Sequence, residues 1–539
     1  MDVWLRHLII VPILLPLITG ATLLFYEERR SKFKSLVGLI SASSLIVVSV
    51  LLFARTLEIT PATDVYHLGN WLPPFGIVLV LDRLSVMMLL LSSLLTTAVL
   101  VFARAYWYKA GPHFQSLMQF FIMGLNGVFL TGDLFNLFVF FEVMLTASYG
   151  LGLHGSGQSR VRAGMHYIVI NLVASLFFLI GSALIYGVTG TLNMADLAIK
   201  MQHIAKEDVV LFEIGAAFLG IVFLLKAGMW PLNFWLTPIY SAAAAPVSAA
   251  FAILSKVGIY VILRLTLLWF GSEDGYFTHF GHIVLFYGGL ATLVFGITGV
   301  LASQVVGRLA AYSVLVSSGI LLTAIGMGNQ ALISGALFYI VSSTLTLGAF
   351  FLLAELVECN KDMSPNVLAV TMEVYGEEDE EEDEVGTYLP ATLAILGSCF
   401  AVCTILIVGL PPFSGFVAKF MMLVAIFNLS ESNSSSYMLA TRDWIVAILV
   451  IISGFAALIA MVRTGIRIFW ASLEGRELCA QVIEFAPIAA LLTLCLMMTI
   501  MAGPVGSYMS ETAKILHNPQ NYIGSVLTDL PLKIPGKKP

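Results

Sequence analysis

Residues 221–235 read IVFLLKAGMWPLNFW and place a lysine and a proline inside an apolar run. A lysine at the centre of a membrane costs about 2.5–3.5 kcal/mol even on the lenient insertion scale. A proline removes a helical hydrogen bond, and a membrane tolerates that break mainly where the backbone packs in protein or lines a cavity. The stretch therefore predicts an interrupted membrane helix that holds Lys226 inside a helical bundle.

Apolar runs recur along all 539 residues, of which 59% are hydrophobic and only 11% charged, with a mean hydropathy of +0.94. Soluble chains carry about 25% charged residues, which excludes a cytosolic enzyme, a secreted disulfide scaffold and a nucleic-acid-binding protein. A run of about 20 apolar residues can cross the hydrocarbon core as a helix. The pattern predicts an all-α polytopic membrane protein with about 14 transmembrane helices in the lipid bilayer.

Basic residues in the short connections predict the orientation, because they accumulate on the cytoplasmic side. Thirteen lysines and arginines fall in one set of alternate loops and five in the other. This places both termini outside the cytoplasm. An acidic insertion at residues 364–387 then lies inside, which does not conflict, since acidic residues contribute little to this rule.

Four charged residues stand deep in apolar runs: Glu142, Lys226, Lys256 and Lys419. If they faced lipid they would together cost on the order of 10 kcal/mol, so they must face the bundle interior, a partner charge or water. They could be structural ion pairs that fix helix packing. Three lysines to one carboxylate favour a second interpretation, a relay whose members take up and release protons as their partners change.

Other polar groups in or near the membrane are weaker candidates. His166 lies near the cytoplasmic start of its helix and could titrate near neutral pH. Asp82 and Arg83 are expected to pair at a helix start, and Arg264 to reach the outer interface by extending its side chain. The chain lacks a phosphate-binding glycine motif after a strand and the cysteine spacing of iron–sulfur clusters, so no cofactor is expected.

Three stretches carry a resemblance to a known family: FFEVMLTASYGL (140–151), LLKAGMWPLNFWLTPIYSAAAAPVSAAFAILSKVGIY (224–260) and GLPPFSGFVAKF (409–420). They resemble the antiporter-like subunits shared by respiratory complex I, membrane hydrogenases and the multisubunit Mrp (Mnh, Pha) cation/proton antiporters. Within that family the chain is most similar in length and in its Glu142 region to the D subunit of the Mrp system.

The resemblance implies 14 helices with two inverted five-helix repeats that contain broken helices. The implied divisions are residues 1–110 (helices 1–3), 111–270 (first repeat, helices 4–8), 271–470 (second repeat, helices 9–13, with the 364–387 insertion) and 471–539 (helix 14 and tail). Helix 11 differs from many relatives, because it has no histidine or lysine and offers Tyr339, Ser342, Ser343 and Thr344 instead.

The resemblance also implies roles and partners. Glu142 would be the acid that pairs with Lys226 in the broken helix, Lys256 the central relay lysine and Lys419 the lysine of the second half. His166 stands where relatives often have lysine. The implied function is proton transfer within a Na⁺ or K⁺/proton antiporter alongside other membrane subunits. A proton-pumping subunit of complex I or of a hydrogenase, and a purely structural scaffold, remain alternatives.

Overall fold

The computed structural model describes residues 7–27, 30–58, 63–109, 111–270, 281–374, 391–428, 441–470 and 482–527. Over these residues the chain is helical apart from its connections and one two-stranded antiparallel hairpin. The elements of the first half are α1 (Val11–Phe25), α2 (Ser31–Glu58), β1 (Thr63–His67), β2 (Val78–Asp82), α3 (Arg83–Ala103), α4 (Phe114–Leu130), α5 (Leu134–Gly152), α6 (Gln158–Thr189), α7 (Met194–Lys200), α8 (Val209–Ala227), α9 (Leu236–Ala242) and α10 (Ala245–Trp269).

The second half continues the helical pattern. Its elements are α11 (His282–Ala302), α12 (Val306–Met327), α13 (Gln330–Val374), α14 (Ala391–Val408), α15 (Ser414–Asn428), α16 (Thr441–Gly465), α17 (Val482–Ile500), α18 (Ala502–His517) and α19 (Gln520–Leu527). The backbone of α13 continues to Val374, so the predicted insertion at 364–387 begins as helix, and residues 375–390 lie outside the described part of the chain.

Eleven helices of the described chain are long and apolar enough to cross a membrane. Four shorter apolar helices accompany them, namely α1, α4, α14 and α15. Only the short segment 409–413 separates α14 from α15, so these two form one interrupted element. Eleven long helices, α1, α4 and this element make 14 crossings, which confirms the predicted all-α polytopic class.

Two crossings are interrupted in the same manner. Gly228 follows α8 with φ +74°, and Gly409 follows α14 with φ +81°, a left-handed conformation that glycine adopts without steric cost. Prolines follow each glycine within a few residues and prevent the helix from resuming at once. The interruptions fall in the seventh and twelfth crossings, five apart. Because five is odd, the two interrupted crossings run in opposite directions, as inverted repeats require.

The centre of the bundle is α10, in which every residue from Pro246 to Trp269 is buried. It packs against α8, α12 and α13, and α13 is also buried over nearly all of its membrane segment. The outer helices α2, α6 and α17 bury only a third of their apolar windows. Their remaining apolar surface faces lipid or other membrane proteins, because water would not tolerate so large an exposed apolar area.

Candidate functional site

The charges singled out in the sequence lie near the middle of their crossings. Lys256 is close to the midpoint of α10, and Glu142 to that of α5. Lys226 is the next-to-last residue of α8, immediately before the first interruption. Lys419 lies in α15, but its ammonium donates to carbonyl oxygens at the end of α14. The charged group of each residue therefore lies about halfway along its own crossing.

The first group joins α5, α6 and α8. Lys226 Nζ donates to Asn171 Oδ1 at 3.4 Å and lies 5.1 Å from the centre of the Phe141 ring. Ser175 donates its hydroxyl to the Glu142 carboxylate and also lies 2.9 Å from the Asn171 carbonyl oxygen. Glu142 and Lys226 form no ion pair within 4 Å among the described residues. The acid and the amine are thus bridged by two polar residues one turn apart on α6.

The second group surrounds Lys256, which is completely buried. Its Nζ donates to the hydroxyl of Ser317 on α12, and Ser317 donates in turn to Ser343 on α13 at 3.2 Å. No carboxylate of the described chain pairs with this lysine within 4 Å. Hydroxyl groups therefore provide its polar surroundings, and they lead toward α13.

A small cavity connects that hydroxyl pair with Lys419. It measures about 30 Å³ and is lined by polar groups from α12, α13 and α15, among them Ser317, Tyr339, Ser342, Ser343, Thr346 and Lys419. A water needs about 10–15 Å³ of such space and two to four polar partners, so the cavity can hold about two waters. Thr344, named from the sequence, instead donates to the Ile340 carbonyl of its own helix.

Lys419 is buried, and its described hydrogen bonds go to the carbonyl oxygens of Ile407 at 3.1 Å and Val408 at 2.8 Å. These carbonyls are exposed for bonding because α14 ends there, so the interruption itself supplies the partners of the lysine. The first interruption differs in this respect, because Lys226 donates to a side-chain amide oxygen on α6 instead of to backbone carbonyl oxygens.

His166 lies apart from both groups. It is exposed, and one ring nitrogen lies 2.9 Å from the carbonyl oxygen of Arg162. It lines an open cavity of about 1160 Å³ together with Arg162, Asn233 and Arg308. None of its described hydrogen bonds reaches Glu142 or Lys226, so the structure brings His166 to the mouth of a cavity rather than into the line of buried charges.

Comparison with known proteins shows which family the chain belongs to. Residues 131–442 match the family model described as NADH:quinone oxidoreductase/Mrp antiporter, transmembrane. The chain belongs to this family. It is 54% identical over 530 residues to the D subunit of a probable K⁺/H⁺ antiporter from Rhizobium meliloti, covering 97% of this chain and 98% of that protein. It is 34% identical to the D subunit of a Na⁺/H⁺ antiporter from Alkalihalophilus pseudofirmus, covering 97% and 100%. These matches confirm the resemblance seen in the sequence.

Among solved structures, a chain of the Mrp complex from Dietzia sp. DQ12-45-1b superimposes with a TM-score of 0.79 at 23% identity, covering 97% of this chain and 99% of that one. At this identity the match supports the fold.

This member of the Mrp antiporter family also contains a buried ion pair that sequence reasoning missed. Arg264 donates to Asp82 at 2.8 Å, and both side chains are about 5% exposed. Arg264 therefore does not reach the outer interface, and Asp82 pairs with it rather than with Arg83, whose guanidinium lies over the Tyr508 ring. Burial alone would raise the pKa of Asp82, but Arg264 and the Ser85 N–H hold it below its ordinary value.

Signals for this pair were present but indirect. Asp82 caps α3 by accepting from the Ser85 N–H, which its position before an apolar run indicates. Its partner is 182 residues away, beyond any local pattern. Among the described residues no group of three or more histidines, cysteines or carboxylates could hold a metal ion.

Proposed function

We propose that the chain is the proton-translocating D subunit of a multisubunit Mrp-type antiporter that exchanges Na⁺ or K⁺ for protons. The observation that carries this proposal is the line of buried or half-buried ionisable and hydroxyl groups near the middle of the crossings, from Glu142 to Lys419. The names of the relatives, one from a K⁺/H⁺ and one from a Na⁺/H⁺ antiporter, support the same function.

The first part of the relay is a charge switch. Asn171 and Ser175 hold Glu142 and Lys226 close without direct contact, so a small movement of α6 can make or break their ion pair. Lys226 is also next to α10, because a Cβ added to Gly258 would lie 2.7 Å from the Ala227 nitrogen. At such close helix packing the charge of Lys226 acts on Lys256 through a medium of low polarity. Coupling of about 1–3 kcal/mol is typical between linked sites.

The second part is a hydroxyl and water path. A proton leaving Lys256 meets Ser317 and then Ser343, and about two waters in the 30 Å³ cavity complete the distance to Lys419. Hydroxyls and waters can both donate and accept hydrogen bonds, so they can pass a proton without holding a charge of their own. This path replaces the histidine and lysine that residues 337–352 of α13 lack.

The proposed orientation of the chain in the membrane rests on the arginines at one face of the bundle. Arg160, Arg162, Arg308, Arg463 and Arg467 all lie at helix ends on the same side, which we take as the cytoplasmic side of a bacterial inner membrane. Both termini then lie outside. His166 and its 1160 Å³ cavity open on the cytoplasmic side, where they can supply water to the first part of the relay.

The apolar surface left on the outer helices supports docking to other membrane subunits of the same antiporter complex as well as contact with lipid. The family description also names NADH:quinone oxidoreductase, so a proton-pumping role in complex I is the alternative. The two named relatives favour the antiporter.

The test is cation-dependent proton movement in vesicles that contain the whole subunit set. Glu142→Gln and Lys226→Ala should each abolish antiport while the complex still assembles. Leu225→Ala, which removes a neighbouring buried apolar side chain, is the matched control and should retain transport. Normal antiport in an assembled Lys226→Ala complex would remove the proposed relay.

A further inference from the structure

A second polar cavity lies on the arginine-rich face, outside the relay described above. It measures about 330 Å³ and is lined by residues from six segments, including Trp107, Arg160, Tyr240, Ser248, Glu355 and Glu358. Its volume is many times that of a single water, and it lies at the end of α9, the start of α10 and the 351–358 part of α13. It therefore brings water to the base of the central helix.

Glu355 is the unusual group in this cavity. Its Oε1 accepts a hydrogen bond from the Trp107 ring N–H at 2.6 Å, and the Ala245 N–H lies close to the same carboxyl group. Its Oε2 is shielded from the surface and completes no hydrogen bond within the described part of the chain. Leaving a buried oxygen without a hydrogen-bond partner normally lowers the free energy of unfolding by about 1–3 kcal/mol, and by more if the group is charged. A proton on Oε2 would remove most of that cost.

The neighbouring arginine does not relieve Glu355. Arg160 stacks on the Trp107 ring at 5.1 Å and donates to the carbonyl oxygens of Ala242, His154 and Ser156. Among the described residues no ion pair joins Arg160 and Glu355 within 4 Å. The described hydrogen bonds of the Arg160 guanidinium go to backbone carbonyl oxygens, so it acts on the Glu355 carboxyl group only through longer-range electrostatic attraction.

Glu358 provides a contrast within the same cavity. Its Oε1 accepts the backbone N–H groups of Val306 at 2.8 Å and Gly307 at 3.3 Å. These are the first, otherwise unpaired donors of α12, which a carboxylate stabilises at a helix start. Glu358 therefore has a structural role at the start of α12, whereas one oxygen of the Glu355 carboxyl group completes no hydrogen bond among the described residues.

The cavity leads toward Lys256. Tyr240 lines it, and the Tyr240 hydroxyl donates to the Phe251 carbonyl oxygen at 2.6 Å and lies beside Ser255. Ser255 directly precedes Lys256, and its own hydroxyl is buried and completes no hydrogen bond to the described residues. Tyr240 and Ser255 thus form a polar line between the water near Glu355 and the central lysine.

We propose that Glu355 exchanges protons between cytoplasmic water and the Lys256 part of the relay. The Glu355 carboxyl group, which lines the cavity, takes a proton from cavity water and releases it to water beside Tyr240, which returns Glu355 to its carboxylate form. The inference rests on the proposed relay. The titratable or charged groups that face Glu355 are Arg160 from α6, Glu358 from α13, Tyr240 from α9, His154 from the loop before α6, and Glu484 from α17.

The experiment measures antiport by the assembled complex in inside-out vesicles over a range of external pH, for the wild type, Glu355→Gln and Glu358→Gln. Glu355→Gln keeps the acceptor for Trp107 but cannot carry a proton. Its rate should fall about 100-fold at alkaline pH, the low end of what a positioned proton-transfer group contributes, and less at acidic pH, where water itself supplies more protons. Glu358→Gln should keep the pH profile of the wild type.

Two further variants separate proton transfer from packing. Glu355→Asp should recover part of the rate, because it restores a carboxyl group. Trp107→Phe removes the hydrogen bond to Oε1 but leaves the acid, and should keep the wild-type pH profile. A Glu355→Gln complex with the wild-type profile, or a Trp107→Phe complex with the same loss, would overturn the inference. If Lys226→Ala remains fully active, the proposed function fails; if only Glu355→Gln remains active, this inference fails alone.

Discussion

The Lys256–Ser317 contact offers the sharpest test of the path toward Lys419. Ser317 is the described partner of the buried Lys256 ammonium and donates its own hydroxyl proton to Ser343. Ser317→Ala removes both bonds without changing the backbone. A hydrogen bond to a charged group contributes about 1.5–3 kcal/mol, and each 1.4 kcal/mol is a factor of about ten. The antiport rate should therefore fall about 10- to 150-fold.

The chain contains a matched control in the next residue. Ser318 is equally buried on the same helix, but its hydroxyl completes no hydrogen bond to the described residues, so Ser318→Ala should leave antiport unchanged. Ser317→Thr keeps a hydroxyl and should retain much of the rate. The assay is sodium- or potassium-dependent proton movement in vesicles, normalised to assembled complex. Equal rates for Ser317→Ala and Ser318→Ala would refute the reasoning, whichever value they share.

Three further predictions concern stability. Asp82→Ala should destabilise the purified complex by about 3–5 kcal/mol, because it leaves Arg264 buried without its partner, and the double change with Arg264→Met should recover most of the loss in a thermal melt. Since Arg264 holds the pKa of Asp82 low, the pair should stabilise the protein above pH about 3.9 and lose that effect as pH falls further; pH-independent stability there would contradict this. Gly409→Ala should also lower the melting temperature, because φ is +81° and the new Cβ would lie 2.7 Å from Lys419 Cδ. The control Gly220→Ala lies on α8 with open space around it and should leave the melting temperature unchanged.

The crossings and their interruptions could be predicted from the sequence because their causes are local. Apolar runs of membrane length and the glycine–proline breaks near Lys226 and Lys419 are visible within about 20 residues. The high cost of a charge in lipid also identified the buried lysines without any knowledge of their neighbours.

The partners of those charges could not be predicted in the same way. Asn171 and Ser175 look unremarkable in an apolar helix, because such residues often bond only to their own backbone. The structure shows that they also bridge α5 and α8. The same limit applies to Glu355, whose tryptophan partner is 248 residues distant in sequence. Local patterns reveal which groups are out of place, but only the packing of distant helices reveals what each one meets.

The position of Glu142, Lys226, Lys256 and Lys419 near the middle of their crossings has an electrical consequence for the proposed relay. Moving one elementary charge across the whole membrane involves about 2.3 kcal/mol for each 100 mV of potential, but moving it sideways at constant depth involves none. In such an arrangement the membrane potential affects the movement of protons from each surface to the midplane. It does not affect proton transfer among the four side chains. A several-fold change in membrane potential would then change the rate at which protons reach the midplane. It would leave the rate of proton transfer among the four side chains unchanged.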